Sequence, residues 1–424
     1  GRANYDETMD LQLLLNDIPM KPWKNLFAES LMVDGLLSCE ASITGSFMQP
    51  EFILNAQTDS LVYEDLLLGD VATSLVYGDR LLNIVNFQLL SGYGDYRAEG
   101  SFYVDLAFTA DSLERFPNLP MNISIAAVDS RFDLVTLLQP SVEQLEGDFF
   151  ADFVLSGTPL NPHLEGGAFM VDARLKYFDL EDWLRSDSVG VRMNDNRIII
   201  DGMEAYVMDN EERKSVFAEG TITVKSLDSL YYDLDVVIPE EFPFRYELDD
   251  IEGSFEGKLH VEGDSPPLVT GNIQLLSMNY LVDFAEPDQG SPIMTALSGQ
   301  NTWNLAVDIN IISNYWIKNE DIDAEFAGEI TMLRESGIYS FIGEMEILRG
   351  RGFLFDKTFT IEPGSRVVFE GGDTFNPSLD ITAYTRVAGS RGDAEEENQV
   401  EQLELGIHVT GTLEEPEINP TEDS

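Results

Sequence analysis

Residues 145–162 read Leu-Glu-Gly-Asp-Phe-Phe-Ala-Asp-Phe-Val-Leu-Ser-Gly-Thr-Pro-Leu-Asn-Pro, and their spacing sets the reading of the whole chain. Phe149, Phe153 and Leu155 fall on one side of a period-two pattern that ends at Gly157, and Val154 and Ser156 fall on the other. Successive side chains of a strand point to opposite faces, so the alternation predicts a half-buried β-strand. Gly157 then permits a turn or bulge, and Pro162 is expected to stop ladder pairing on that edge.

The same phrase recurs as Gly35, Gly45 and Pro50 and as Gly253, Gly263 and Pro267, with a fragment at Gly411 and Pro416. Aligned on the second Gly, the apolar side carries Ala41 and Ile43, Leu259 and Val261, and Ile407 and Val409. The other side carries Ser42 and Thr44, His260 and Glu262, and His408 and Thr410. A second pair of strands also repeats, with Ala98-Glu99-Gly100-Ser101 echoed by Ala218-Glu219-Gly220-Thr221. The unit is roughly a hundred residues long. The chain divides into a lead-in segment (1–34), three β repeats (35–146, 147–252 and 253–336) and a C-terminal β region (337–424), all in one elongated body. Each repeat buries its apolar face mainly against its neighbours, so function is expected to be spread along the chain.

Period-two alternation continues at Leu305, Val307, Ile309 and Ile311, at Phe353, Phe355, Phe359 and Ile361, and at Leu379, Ile381 and Ala383. The fold class is therefore all-β, a repeat sheet of many strands. Short helices or turns are expected at Leu11–Leu15, at Phe132–Pro140 and around Leu180, Trp183 and Leu184. Ala388 to Asn398 reads as a long solvated hairpin loop, and its Arg391-Gly392-Asp393 as a chance tripeptide.

The charge excludes one class of partner. With 77 acidic against 25 basic side chains and a formal charge of −52, the surface is wrong for nucleic acid, whose phosphates need basic contacts. Anionic headgroups are repelled at long range as well. The acids are scattered and the hydrophobic content is 43%, so they solvate a folded surface. The single cysteine, Cys39, allows no intrachain disulfide and sits on an apolar strand face as a packed core residue. No 18 uninterrupted apolar residues occur, and Gly1–Asp10 has neither the basic nor the apolar region of a signal peptide, so the chain reads as a fragment of a larger protein.

Signals for catalysis are missing. His163, His260 and His408 are the only histidines, and the last two hold the same polar strand position in different repeats. No Cys or His pair has metal-ligand spacing, no calcium loop of EF type is present, and Gly343, Gly350 and Gly352 lack the Lys and helix of a phosphate loop. Carboxylate pairs such as Asp321 with Asp323, or Glu344 with Glu346, are what chance supplies in so acidic a chain. The chain is read as a non-enzyme with no cofactor and no metal.

The C-terminal third is specific enough to carry a resemblance. Gly337-Ile338-Tyr339-Ser340-Phe341-Ile342-Gly343, Ile347-Leu348-Arg349-Gly350, Val367-Val368-Phe369 and Asn376-Pro377-Ser378-Leu379-Asp380-Ile381-Thr382-Ala383 precede Val409-Thr410-Gly411-Thr412-Leu413 and Pro416. This wording resembles the C-terminal domain of the TamB family, within the AsmA-like bridge-like lipid transfer proteins, and the upstream repeats resemble that family's preceding units. The resemblance implies a long sheet curled into an open apolar trough, a β-taco. It implies a periplasmic protein anchored in the inner membrane at full length, with an outer-membrane barrel of TamA type as partner. It also implies roles in phospholipid delivery and outer-membrane protein assembly. The segment that meets the barrel is expected beyond Ser424.

In such a trough the inner side chains would contact phospholipid acyl chains. The lipid-groove residues are then expected to be Ile43, Phe149, Phe153, Leu155, Phe255, Leu259, Val261, Ile407 and Val409. Ordinary core packing is the competing role for each. The alternative function is a scaffold for outer-membrane protein assembly with the TamA-like barrel.

Overall fold

The computed structural model describes residues 2–3, 8–21, 33–63, 66–91, 94–108, 115–130, 142–177, 180–246, 251–281, 303–354, 356–372, 375–389 and 401–421. In chain order the first strands are β1 (Arg2–Ala3), β2 (Thr8–Pro19), β3 (Val33–Ser46), β4 (Pro50–Tyr63), β5 (Leu66–Gly78), β6 (Leu81–Ser91), β7 (Gly94–Tyr103) and β8 (Met121–Ser130). Then come β9 (Val142–Thr158), β10 (Asn161–Tyr177), β11 (Leu184–Asp195), β12 (Arg197–Asp209), β13 (Glu212–Ser226), β14 (Ser229–Tyr246), β15 (Ile251–Asp264) and β16 (Leu268–Tyr280). The last are β17 (Asn304–Lys318), β18 (Ile322–Glu335), β19 (Ile338–Leu354), β20 (Lys357–Ile361), β21 (Ser365–Glu370), β22 (Ser378–Gly389), β23 (Glu401–Gly411) and β24 (Pro416–Pro420).

All 24 belong to one curled sheet. From β1 to β16 each strand pairs antiparallel with the next. β16 and β17 pair in parallel, after which antiparallel pairing resumes through β18 and β19. The long β19 carries both β20 and β21 on one edge, and these lead to β22, β23 and β24.

The repeated phrase is a hairpin corner. Gly45 pairs directly with Pro50, Gly157 with Pro162 and Gly411 with Pro416. The three glycines hold φ of +87°, +86° and +86°, and a Cβ on them would lie 2.4, 2.4 and 2.5 Å from the carbonyl oxygens of Gln49, Asn161 and Glu415. Only Gly fits that combination. Gly263 is laxer, since a Cβ there would meet nothing within 4 Å. The proline does not stop the ladder as expected. It stands at or next to the start of the return strand, where a missing N–H costs little.

One face of the sheet is apolar throughout. Leu11 pairs with Ile43, Ile43 with Phe52, Phe52 with Tyr77 and Tyr77 with Leu82. Further on Phe153 meets Ile125 and Gly166, and Leu234, Val261, Val269 and Leu305 follow one another across four strands. Ile381, Val409 and Ile418 close the series. Cys39 lies on this face between Leu15 and Ala56, and burial pushes its thiol pKa up, as suits a packed residue.

The expected helices are not there: no α-helix occurs among the described residues. Leu11, Leu13 and Leu15 belong to β2, where the alternating set faces Ile43, Ala41 and Cys39. Leu180 bridges to Tyr246, the Glu181 amide donates to the Arg245 carbonyl at 2.9 Å, and Leu184 begins β11, so this backbone bonds sideways. Phe132–Pro140 lies outside the described residues. Ala388 and Gly389 finish β22 opposite Gln402 and Glu401, while the rest of that expected loop, with Arg391-Gly392-Asp393, is likewise outside them.

Curvature comes from bulges. Extra residues interrupt the ladders between Leu15 and Ile18, Thr58 and Leu61, Val171 and Arg174, and Ile311 and Tyr315. A bulged strand bends and twists more strongly than its neighbour. Asp17, Ser60, Asp172 and Asn314 sit in these interruptions with φ of 49°, 52°, 51° and 62°, a conformation Asp and Asn tolerate better than most residues. The freed amides still find acceptors: Asp17 N–H donates to Ser38 Oγ at 3.0 Å, Ser60 N–H to Asp70 Oδ1 at 2.8 Å and Asn314 N–H to Glu325 Oε1 at 2.9 Å.

The corner glycine gives a direct test. Gly157→Ala is expected to lower stability by about 1–3 kcal/mol, read as a reduced urea midpoint, because Ala must carry the strained φ and displace the Asn161 carbonyl. A wild-type midpoint would contradict this account of the repeat.

Candidate apolar groove

From β14 to β24 the apolar face curls around a cavity of about 810 Å³. That volume falls in the range of small-molecule pockets, roughly 300–1,000 Å³. The walls are mostly Ile, Leu, Met, Phe and Val side chains on alternate positions of successive strands, for example Ile309, Ile330, Met345 and Val367. Asp321, exposed on the turn between β17 and β18, is the one charged residue among those that line it.

Aromatic rings stiffen two parts of the wall. Phe341, Phe369 and Phe375 meet one another at centroid distances of 5.4 to 6.2 Å, in tilted or edge-on pairs. Phe255 stands between Phe242 and Phe244, at 5.9 and 5.8 Å. Behind the lining Ala324 and Ile347 are 0% exposed, so this wall is close-packed while the space in front of it is open.

The wall around Phe326 depends on a buried carboxylate. Between Ile311 and Tyr315 strand β17 uses more residues than β18, and the bulge leaves the Asn314 amide aimed at Glu325. Glu325 is 4% exposed, accepts that amide, and receives the Arg349 guanidinium Nε–H at 2.6 Å. The Asn314 hydrogen bond, with Arg349 beside it, holds the carboxyl below the usual Glu range although burial opposes this.

The nine expected groove residues share the inner face but not one site. Phe255, Ile407 and Val409 line the cavity. Leu259 and Val261 pack with Val269 and Val307 in an adjoining cluster that Tyr232 and Trp303 border. Ile43, on β3, and Phe149, Phe153 and Leu155, on β9, lie partly buried on the same face, outside this cavity. Most of the lining instead comes from residues such as Tyr315, Phe326, Met345 and Phe369. Their alternation was visible as strand, but nothing local distinguishes a groove wall from a closed core.

The histidines lie on the outer face. His260 shares a hydrogen bond with Asp235 at 2.9 Å, which raises its pKa, and His408 one with Asp380 at 2.7 Å. His163 is paired with Asp195.

A family model of the TamB C-terminal domain matches residues 98–285 and again residues 208–421. The chain belongs to the TamB family. The two matched windows are displaced by about one length of the Gly-to-Pro repeat, as expected when one β unit recurs. TamB proteins span the periplasm, work with an outer-membrane partner, and act in a translocation and assembly module or in bridge-like transport. A comparison with curated proteins gives no match. Among the described residues no helix of this TamB chain is long and apolar enough to cross a membrane, which leaves β-barrels unaddressed.

The Glu325 carboxylate predicts an acid-sensitive wall. Its folded pKa is lowered, so its contribution is present above the ordinary Glu pKa and is lost as pH falls through the folded value. Urea midpoints of wild type and Glu325→Gln should differ at pH 7, and the difference should shrink as pH falls below the ordinary Glu value of about 4.3 and on through the lowered folded value. A constant offset across that range would show that the charge plays no part.

Proposed function

We propose that this chain is a non-enzymatic conduit segment that carries phospholipid acyl chains along its inner face between the inner and outer membranes. The observation that carries this reading is the cavity of about 810 Å³, lined almost wholly by apolar side chains on a face that stays apolar from β2 to β24. Burying an alkyl chain there yields about 0.8 kcal/mol per methylene, so a sixteen-carbon tail gains at most about 12 kcal/mol before ordering costs. No catalytic group is needed for this, and a row of similar side chains gives similar binding at each step, so the barriers to sliding are low. The polar headgroup stays at the rim, in water.

Assembly of outer-membrane proteins by strand addition is the alternative, and it needs an open strand edge. β24 pairs with β23 alone among the described residues, but it is five residues long and has Pro416 and Pro420 at its ends. Short edge strands with proline resist further pairing. At the other end β1 covers β2 only at Met9 and Asp10, so among the described residues the rest of β2 does offer an edge. Lipid carriage is preferred for the apolar cavity and not for want of an edge.

A photoreactive residue at Phe255 or Leu259 is expected to give lipid adducts, identified by mass spectrometry after organic extraction, while one at the outward Lys258 gives none. Ile309→Asp should reduce co-purifying lipid several-fold. Protein free of lipid, with no adduct at either inner position, would remove the proposal.

A further inference from the structure

The apolar cavity has two unlike ends, and they lie at opposite ends of β19. Near the start of that strand Phe341 packs against Phe369 and Phe375. Phe375 leads into Pro377, whose carbonyl accepts the Leu413 amide at 3.0 Å, and all five of these residues line the cavity without a charge among them. At the last residue of β19 the lining is Leu354, next to Phe353 and Gly352. Gly352 pairs with Ile322, and the Phe353 amide donates to the Asp321 carbonyl at 2.8 Å. This end therefore carries the one charged residue that lines the cavity.

Two opposite charges stand unpaired at this mouth. Asp321 is exposed; its amide donates to Asn319 Oδ1 at 3.0 Å, but its carboxylate has no partner among the described residues. Lys357 is the direct partner of Leu354 across the β19–β20 hairpin, and such partners share a face with their Cβ atoms about 4.5–5.5 Å apart. Phe359 and Ile361, at the next alternate positions of β20, line the cavity, so Lys357 belongs to the inner face beside it. It is exposed and makes no ion pair among the described residues. Asp323 and Arg351, on the outer face, neutralise each other at 2.9 Å, while Asp356 in the hairpin turn adds a second exposed acid.

We propose that this mouth is a headgroup site and that the cavity holds a phospholipid end-on, its headgroup bearing both a phosphate and an ammonium. The inference rests on the acyl-chain reading and adds to it the orientation and headgroup class of the lipid. The Lys357 ammonium donates to a phosphate oxygen, and the Asp321 carboxylate accepts from the headgroup ammonium, both charge-assisted hydrogen bonds. β18, β19 and β20 are neighbours, so the two residues stand about two strand spacings, roughly 10 Å, apart at the backbone. The flexible Lys stem closes that gap around a phosphoethanolamine group. A headgroup with the phosphate alone gains only Lys357 and meets the acids Asp321 and Asp356 unopposed. The aromatic end has no charge to receive a headgroup, and desolvating one there is costly, so the tail ends point to it.

The test equilibrates the full chain with vesicles of equal phosphatidylethanolamine and phosphatidylglycerol, repurifies it, and quantifies the extracted lipid by mass spectrometry. Phosphatidylethanolamine should be enriched about two- to fivefold over the input, the scale of one exposed ion pair. Asp321→Asn should abolish the enrichment and Asp321→Lys should turn it toward phosphatidylglycerol, with total lipid and melting temperature held, since the carboxylate bonds to nothing in the fold. Ile309→Asp, inside the cavity, should instead lower total lipid and leave the ratio alone. A photoreactive residue at Phe353 should label the headgroup and glycerol, and one at Phe375 the tail ends. Lipid bound in the input proportion, a ratio that Asp321→Lys does not move, or labels at the reverse ends would overturn the headgroup site and leave lipid carriage standing. Protein that takes up no lipid at all would overturn both.

Discussion

A sheet with one apolar face along its whole length must bend over that face without orphaning its backbone, and the bulge amide captured by a neighbouring side chain is how this chain does so. Asn314 adopts the left-handed conformation, its N–H turns to Glu325, and Arg349 holds the carboxylate from the next strand. Asp17 with Ser38 and Ser60 with Asp70 repeat the device near the other end. An unmet buried amide costs on the order of 1–3 kcal/mol, so curvature at the partly buried Asn314 without its Glu325 partner would be expensive.

What the curl encloses varies along the chain. In the C-terminal third β19 is long enough to carry both β20 and β21, which brings β22 to β24 around the same interior as β14 to β18. The inner positions there are large, with Phe341, Phe369 and Phe375 propped against one another, and rings in contact resist closing into the space before them. Apart from the buried Glu325 and the rim residue Asp321, this interior is lined by apolar side chains. Exposed ion pairs such as Arg351 with Asp323 contribute at most about 1 kcal/mol each, so the outer charge solvates the body more than it holds it together.

Much of this was legible in the residues. Alternation at Phe149, Phe153 and Leu155 is strand at any length, because period two has no helical counterpart, and the Gly-to-Pro phrase marked a recurring corner. Its proline was misread because cross-strand register is invisible locally: Pro162 looks like a stop until Gly157 is seen opposite it. Leu11 to Leu15 suggested a helix because a dense run of leucines fits both periods, and only the pairing partners Ile43, Ala41 and Cys39 decide between them. Asp17, Asp172 and Asn314 passed unnoticed, since an Asp or Asn inside a strand announces a bulge only when the count of residues on the facing strand is known.

The sequence by itself determined an all-β repeat with one apolar face and one acidic face, and its C-terminal wording pointed to the TamB family. Alternation and turn chemistry are local, and local spacing records them. Only the tertiary structure decided that Phe255, Ile407 and Val409 open onto one cavity while Leu259 and Val261 pack in the cluster beside it. Only the structure, too, brought Asp321 and Lys357 to the mouth of that cavity. Which side chains meet across a curled sheet depends on register, bulges and curvature summed over many strands, and no short stretch of the chain contains that sum.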